Sequence, residues 1–88
     1  MDVRDTIEQV KQMLARRFDL GIGAEDIGDD EAIFETGLGL DSMAAIDLLV
    51  GLDTDLGVRI DDDEITAENF RSVRTLARLI HGRIPARG

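Results

Sequence analysis

The sequence predicts an all-α fold: a small four-helix bundle with three longer helices, one short helix III, and a long loop between helices I and II. Three observations favour this fold. Apolar residues recur at spacings of three and four near the start, in the middle and near the end of the 88-residue chain. Residues that cap helices stand at the starts of these stretches, and glycines follow two of them. Between the first two stretches lies a long segment without a sustained period.

Helix I is indicated by apolar residues at spacings of four, three, four and four. These residues are Val3, Ile7, Val10, Leu14 and Phe18. The spacing sets them on one side of a helix. The charged residues predicted to face away are Arg4, Glu8, Lys11 and Arg16. Gly21 and Gly23 are expected to end this helix.

The 23 residues of segment 19–41 form an ordered loop, because six apolar residues punctuate them without a period. A short helical turn is expected around Ala24–Ile27. Loops longer than about 12–15 residues are uncommon in compact domains and are often functional. We therefore expect the loop to bring the chain to a functional position.

Helix II is predicted over residues 42–56, at about 100° of rotation per residue. Its core face comprises Ala45, Leu48, Leu49, Leu52 and Leu56. Its outward face comprises Met43, Asp47, Val50 and Thr54, with Ile46 and Asp53 at the border. Two outward apolar side chains one helical repeat apart, ringed by carboxylates, favour a docking stripe for a partner helix or cleft.

Gly57 is expected to end helix II, and an acidic run over residues 61–64 follows a short extended link. Thr66 or its neighbours would cap the short helix III, which ends at Phe70, and Ser72 would cap helix IV. The buried stripe of helix IV is predicted to be Val73, Leu76, Ala77 and Ile80, with Arg71, Arg74 and Arg78 outward. Residues from about 83 to 88 are expected to be a frayed tail.

The formal charge of −9 is concentrated in the middle of the chain, where residues 19–68 carry sixteen acidic groups and one basic group. Such a surface repels nucleic acid and anionic lipid, and it favours protein partners that have basic patches. The chain has no cysteine and no apolar run long enough to span a bilayer. We expect one domain over residues 1–88, a monomer in the cytoplasm, and no nucleic-acid or membrane partner.

The sequence contains few residues that could support catalysis or bind a metal ion. His81, the one histidine, stands at the end of helix IV without a discernible nucleophile beside it, so no enzyme activity is expected. Asp53, Asp55 and Glu64 match three positions of an EF-hand loop, but Gly57 and Val58 break the pattern, and no metal site is predicted.

Asp41 and Ser42 suit the start of helix II, because a short side-chain oxygen can accept from amides of the first turn. A phosphate esterified to a hydroxyl at this position would lie near unpaired N–H groups and the positive end of the helix dipole. The pair is therefore either a helix cap alone or a cap and a modification site.

The stretch Phe34-Glu35-Thr36-Gly37-Leu38-Gly39-Leu40-Asp41-Ser42-Met43 resembles the signature of the acyl carrier proteins of fatty-acid and polyketide synthesis and their peptidyl-carrier relatives. Residues 55–58 and 65–73 also resemble that family, so the resemblance extends over nearly the whole chain. The sequence departs from many carriers at Ala44, Thr54 and Gly51, where these have two acids and a larger aliphatic residue.

The resemblance implies that a phosphopantetheinyl transferase attaches 4′-phosphopantetheine from coenzyme A to Ser42, with Asp41 assisting, and that the cargo is a thioester on this arm. It implies apolar partner contacts at Met43 and Val50 and acidic contacts at Asp47 and Asp53. The partners would be enzymes that load and process acyl groups in fatty-acid, polyketide or related biosynthesis. Two alternatives stay open: a free-standing aminoacyl or peptidyl carrier, and an unmodified acidic interaction module.

Overall fold

The computed structural model describes residues 2–34, 37–41 and 43–85. It contains three α-helices: α1 (Val3–Arg17), α2 (Ala44–Leu56) and α3 (Val73–Ile80). Two short 3-10 turns, Ala24–Asp26 and Asp62–Glu64, interrupt the long connections. The described residues contain two isolated β-bridges and no strand. The predicted all-α fold is confirmed, and the 3-10 turns correspond roughly to the fourth, short helix.

Side-chain caps and a left-handed glycine set several of the helix ends. The Asp2 carboxylate accepts from the Arg4 amide at the start of α1, at 3.4 Å. At the start of α3 the Ser72 hydroxyl accepts from the Thr75 amide at 3.2 Å, which confirms the predicted cap. Gly57 ends α2 with a φ of 71°, a left-handed conformation that glycine adopts without a Cβ clash.

Helix α1 is the common support of the fold, because it contacts both α2 and α3 as well as the first 3-10 turn. In the described part of the chain, no Cα atom of α2 lies within 8 Å of one in α3. One apolar core nevertheless joins the three helices. Its members are Ile7, Val10, Met13, Leu14, Ile27, Ile33, Leu48, Leu52, Leu56, Val58, Phe70, Val73, Leu76, Ala77 and Ile80.

The predicted faces of the second and last helices agree with the structure. Leu48 and Leu52 are fully buried and Leu56 nearly so, whereas Ala45 and Leu49 are half-buried. The buried stripe predicted for the last helix is confirmed in full. The predicted turn around residues 24–27 is also present.

The prediction for Lys11 was wrong. Its side chain is only 9% exposed, and its Nζ lies 2.6 Å from an Asp29 carboxylate oxygen. A lysine can be buried in this way when its charge is paired and its aliphatic stem packs against apolar neighbours. The partner comes from the long loop, so the spacing of residues within helix I cannot reveal it.

The segment predicted as helix III is a 3-10 turn followed by a single turn capped by Thr66. The Thr66 hydroxyl accepts from the Asn69 amide at 3.1 Å, and the Phe70 amide donates to the Thr66 carbonyl at 3.1 Å. The predicted fraying does not begin at residue 83. Arg83 pairs with Glu64, and Ile84 packs against the core, while residues 86–88 lie outside the described part.

Candidate functional site

The turn between the long loop and α2 begins with Asp41, whose side chain holds the start of the helix. One Asp41 carboxylate oxygen accepts from the Ala44 amide at 3.0 Å, and the Asp41 carbonyl accepts from the same amide at 3.0 Å. The helix therefore begins at Ala44, two residues later than predicted. Met43 offers no side-chain cap. Ser42, the predicted attachment residue, lies outside the described residues.

The loop that leads to this turn is bonded to the start of α3 through its backbone. Three amide-to-carbonyl bonds join the two segments: Ile33 to Arg71 at 3.1 Å, Val73 to Glu31 at 3.1 Å, and Arg74 to Asp29 at 2.8 Å. These bonds satisfy backbone groups that the loop would otherwise leave without partners. They also hold this part of the loop in a fixed position against the start of α3.

Close backbone packing inside the loop requires a glycine at position 37. The Leu38 amide donates to the Ala32 carbonyl at 2.8 Å. A Cβ on Gly37 would lie 1.8 Å from that same carbonyl oxygen, which is far inside van der Waals contact. Any other residue at position 37 would therefore push the backbone there away from Ala32.

Asp29 is the electrostatic anchor of the loop. Its carboxylate lies 2.6 Å from Lys11 Nζ, 2.6 Å from an Arg4 nitrogen and 3.6 Å from an Arg74 nitrogen. The hydrogen bonds from Lys11 and Arg4 hold the pKa of Asp29 below its usual range, against the opposing effect of partial burial. The loop is thus tied to α1 by side chains and to α3 by both side chain and backbone.

A cleft of about 770 Å³ opens beside Asp41, between α2, the loop and the segment 65–71. Apolar side chains make up most of its lining: Ala32, Phe34, Leu40, Ala45, Leu49, Ile65, Ala67 and Phe70. Its polar lining comprises Asp41, Thr66 and Arg71. Ligand sites in proteins commonly have this size and this mixture of apolar walls with few polar groups. The cleft therefore has room for a flexible arm or its cargo.

The sequence placed Leu48, Leu49, Leu52 and Ile80 in one group that could either form core or shelter an acyl chain. Leu48, Leu52 and Ile80 are fully buried core residues, as preferred. Leu49 alone of the four lines the cleft. The cleft is instead built largely from residues that the periodicity did not single out, since they come from loop and turn.

Three of the four predicted partner-binding residues lie on the outward face of α2, and the fourth, Met43, immediately precedes the helix. Met43 and Val50 are 77% and 42% exposed, and Asp47 is exposed between them. Asp53 is also exposed, with its carboxylate 3.9 Å from the Arg59 guanidinium. The sequence placed Ile46 only at the border of this face, but Ile46 is 67% exposed. Its spacing, three residues after Met43 and four before Val50, is the sequence signal that could have placed it on this face.

Two of the acidic residues considered for calcium are engaged in ion pairs with arginines. Asp55 pairs with Arg16 and Arg17, and Glu64 pairs with Arg83. Within residues 2–34, 37–41 and 43–85, no group of three or more histidine or acidic side chains could hold a metal ion. In that same part of the chain, no helix is long and apolar enough to cross a membrane.

His81 is a contact between the ends of α1 and α3. Its Nδ1 lies 2.9 Å from the Thr6 hydroxyl, so the ring joins a buried polar group of the first helix to the end of the last. This contact gives the histidine a structural role.

A protein-family model for the phosphopantetheine attachment site matches residues 8–80. The chain belongs to the acyl carrier protein family. The carrier holds its cofactor, 4′-phosphopantetheine, covalently, and it has no catalytic activity of its own. The cleft beside Asp41 fits such an arm, because it combines apolar walls with polar groups at a few positions.

Two curated relatives resemble this carrier over part of its length. An acyl carrier protein of Saccharopolyspora erythraea is 34% identical over 65 residues, which are 74% of this chain and 65% of that protein. An aminoacyl carrier protein of Bradyrhizobium diazoefficiens is 42% identical over 43 residues, which are 49% of this chain and 48% of that protein. The match thus spans less than two thirds of either relative.

Two solved structures resemble the carrier in fold. The holo acyl carrier protein of Nitrosomonas europaea superposes with a TM-score of 0.74, at 26% identity, over 88% of this chain and 93% of that one. The glycylated carrier protein complexed with the Bradyrhizobium japonicum glycine:[carrier protein] ligase has a TM-score of 0.61 and 34% identity. That match covers 89% of this chain and 99% of the other.

Proposed function

We propose that this carrier transports acyl groups as thioesters on a 4′-phosphopantetheine arm attached to the Ser42 hydroxyl, for fatty-acid, polyketide or related natural-product biosynthesis. The observation that carries the proposal is the apolar cleft that opens beside Asp41, the residue next to Ser42 in the chain. An acyl chain that enters such a cleft loses its contact with water, and this stabilises the bound chain by about 0.8 kcal/mol per buried methylene. A small charged aminoacyl group gains little there.

The attachment reaction is a phosphoryl-group transfer. The Ser42 oxygen attacks the phosphorus on the pantetheine side of the coenzyme A diphosphate. A phosphoester bond to the serine forms, the bond between the attacked phosphorus and the bridging oxygen of the diphosphate breaks, and adenosine 3′,5′-bisphosphate leaves with that oxygen. The hydroxyl proton passes to a base of the transferase, and magnesium on the diphosphate balances its charge.

Asp41 has two roles in this proposal, and they can be separated. Its carboxylate already caps α2 through the Ala44 amide, and its exposed negative charge assists the transferase and its magnesium. Asp41→Asn keeps an oxygen acceptor for the Ala44 amide but removes the charge. Asp41→Ala removes both, so only this variant should also lose the roughly 0.5–2 kcal/mol of a helix cap.

The outward face of α2 is the proposed docking surface for the transferase and for enzymes that load and process cargo. Met43, Ile46 and Val50 offer apolar area, and Asp47 and Asp53 offer negative charge at its edge. A partner with a basic, partly apolar patch fits this surface, because charge steers encounter and apolar burial holds the complex. A monomeric state and a cytoplasmic location stay predictions from the sequence.

The alternative is a free-standing aminoacyl carrier. It is favoured by the identity to the glycylated carrier protein of the ligase complex, which exceeds that to the acyl carrier protein of known structure. The arm and the attachment residue would be the same, and only the loading enzyme and cargo would differ. The second alternative remains that this chain is an acidic protein-interaction module that carries no modification.

The first experiment tests attachment. Wild-type protein, Ser42→Ala, Asp41→Asn and Asp41→Ala are incubated with coenzyme A, magnesium and a broad-specificity phosphopantetheinyl transferase. Intact mass spectrometry should show one added phosphopantetheine on wild type and none on Ser42→Ala. Both Asp41 variants should react more slowly. Folded wild type that stays unmodified, or that is modified at another residue, would favour the interaction module.

The second experiment separates the two carrier classes. The protein that carries the phosphopantetheine arm, still without cargo, is offered with ATP to two enzymes. One is an acyl-activating enzyme with short fatty acids, and the other is an amino-acid-activating enzyme with glycine. Acyl thioester formation supports the proposal. Exclusive formation of the glycyl thioester would replace it with the aminoacyl alternative. Asp47→Lys serves as a docking control, since it should slow loading by either enzyme without changing which cargo is accepted.

A further inference from the structure

Two exposed arginines at the outward face of α3 have no acidic partner. Seven described basic residues lie within ion-pair distance of a carboxylate. Among the residues that the structure describes, Arg71 and Arg78 have no such carboxylate, although the protein carries nineteen acidic residues. Both residues are exposed. Their charges are therefore available to a ligand from outside the chain.

The two arginines border one surface groove of about 560 Å³ along α3. Thr75, Arg78 and Leu79 lie on the side of the helix away from its buried stripe, and Arg71 precedes the helix by two residues. Arg71 also borders the cleft beside Asp41, whereas Arg78 borders the groove alone. The full lining comprises Glu68, Asn69, Arg71, Thr75, Arg78 and Leu79.

The neutral polar side chains of the groove are already hydrogen-bonded within the protein. The Thr75 hydroxyl accepts from the Ser72 amide at 2.9 Å and donates to the Ser72 carbonyl at 3.0 Å. The Asn69 side-chain amide donates to the Glu64 carbonyl at 2.9 Å. These bonds hold the groove in shape, so the groups that it offers to a ligand are mainly charged or apolar.

The groove has the opposite net charge to the depression beside the outward face of α2. Two arginines and one acid, Glu68, line the groove, which makes it net positive. Asp53, Asp61 and Asp62 line the other depression with Arg59, which makes it net negative. Because partner surfaces are complementary in charge, the two helices present surfaces for partners of opposite charge.

We propose that the groove on α3 is a second docking surface, and that its occupant is an acidic segment of a partner protein with an apolar residue between two carboxylates. The carboxylates pair with Arg71 and Arg78, and the apolar residue packs on the half-buried Leu79. Seven residues separate the arginines, on the order of 10 Å along a helix axis. Carboxylates three residues apart in an extended segment have about the same separation. Nucleic acid fits less well, because the acidic middle of the chain repels its phosphates.

The groove can be occupied while the outward face of α2 is engaged. No α2 residue lines the groove, and in the described part of the chain no Cα atom of α2 lies within 8 Å of one in α3. A protein that holds the carrier by α3 therefore leaves the start of α2 open to an enzyme. Such a tether raises the effective concentration of the carrier at that enzyme.

The test titrates the isotope-labelled full chain, without the arm, with the peptide acetyl-Gly-Glu-Leu-Ser-Glu-Gly-amide. A matched peptide has glutamine in place of both glutamates. NMR shifts give the dissociation constant and the residues affected. The variants are Arg71→Gln, Arg78→Gln and, as a control of equal charge, Arg59→Gln, which removes an exposed arginine outside the groove. Thermal unfolding verifies that each variant is folded.

The glutamate peptide should shift the amides of residues 69–79 and bind more tightly than the glutamine peptide. Arg71→Gln and Arg78→Gln should each weaken binding by up to about fivefold, the range of an exposed ion pair. Arg59→Gln should leave the dissociation constant unchanged, and added salt should raise it. Equal binding of the two peptides, or an equal effect of Arg59→Gln, would overturn the proposal.

Two further measurements distinguish other occupants. Sedimentation at increasing protein concentration tests a second copy of the chain. A dimer that both Arg78→Gln and Asp47→Lys abolish would show that the groove binds the acidic face of another carrier, and it would refute the partner segment. Tighter binding of a single-stranded oligonucleotide than of the peptide would refute it as well. Peptide binding by a protein that no transferase modifies would support the groove and overturn only the proposed carrier function.

Discussion

Two residues of α2, two positions apart, should respond in opposite ways to replacement by alanine. Leu48 is fully buried in the core, and Ile46 is 67% exposed on the proposed docking surface. Leu48→Ala removes a packed side chain and leaves a cavity, which costs about 2–5 kcal/mol of unfolding free energy. Full burial of such a side chain contributes about 1.5–3 kcal/mol, and Ile46→Ala loses only roughly the third of it that comes from the buried part. The better helix propensity of alanine offsets part of this loss. Its net cost should be about 0.5 kcal/mol.

Thermal and urea unfolding, followed by far-ultraviolet circular dichroism, measure both costs. A change of 1 kcal/mol shifts the midpoint of a domain of this size by about 4–8 °C, so Leu48→Ala should lower it by about 10 °C or more. Ile46→Ala should stay within a few degrees of wild type. It should instead slow arm attachment, because it removes apolar area from the docking surface. Comparable losses of stability in the two variants would contradict the orientation of α2.

Three other properties of the carrier can be tested in the same way. Added salt or millimolar magnesium should raise the thermal midpoint, because the middle segment repels itself, and a midpoint that falls would argue against this repulsion. Hydrogen bonds from Arg83 lower the pKa of Glu64 from 4.5 to about 2, so stability from this pair is present above the ordinary glutamate pKa and is lost as pH falls towards 2. The difference in midpoint between wild type and Glu64→Gln should therefore shrink on acidification, and a difference that stays constant would contradict the pairing. Gly51→Ala should destabilise despite alanine's helix advantage of about 1 kcal/mol, since its Cβ would lie 2.3 Å from Arg17 Cδ and 2.9 Å from the buried Met13 sulfur. Adding Arg17→Ala to Gly51→Ala should recover part of the lost stability. If it recovers none, the clash with the Met13 sulfur alone accounts for the loss.

Periodicity predicted the helices and their core faces because each depends on residues close together in the chain. The buried stripe from Val73 to Ile80 was read from spacing alone, and Ser72 supplied the start of its helix. The start of α2 was placed two residues early, since Asp41 and Ser42 are equally good caps by residue type. Only the bond from the Ala44 amide shows where the Asp41 side chain acts.

Features that depend on distant residues were not predictable from spacing. Lys11 is charged and was assigned to the surface, but the Asp29 carboxylate that permits its burial lies 18 residues later in a segment without a period. The cleft likewise takes its walls from three separate segments of the chain. The family resemblance predicts Ser42 as the attachment position, but no motif indicated that Arg71 lines the cleft.

The backbone bonds between the loop and the start of α3 have a mechanical consequence for the cleft. Two of its three walls, the loop and the segment that ends at Arg71, are joined by the main-chain bond from Ile33 to Arg71, and bonds at Glu31 and Asp29 continue the connection to the start of α3. Helix α2 forms the third wall, and apart from the turn at Asp41 it has no main-chain bond to the other two among the described residues. Side-chain packing in the shared core, which includes α1, Ile33 and Phe70, sets its distance from them. Because two walls are bonded to each other and the third is not, we expect a bulkier load in the cleft to displace α2 rather than the loop or the segment 65–71.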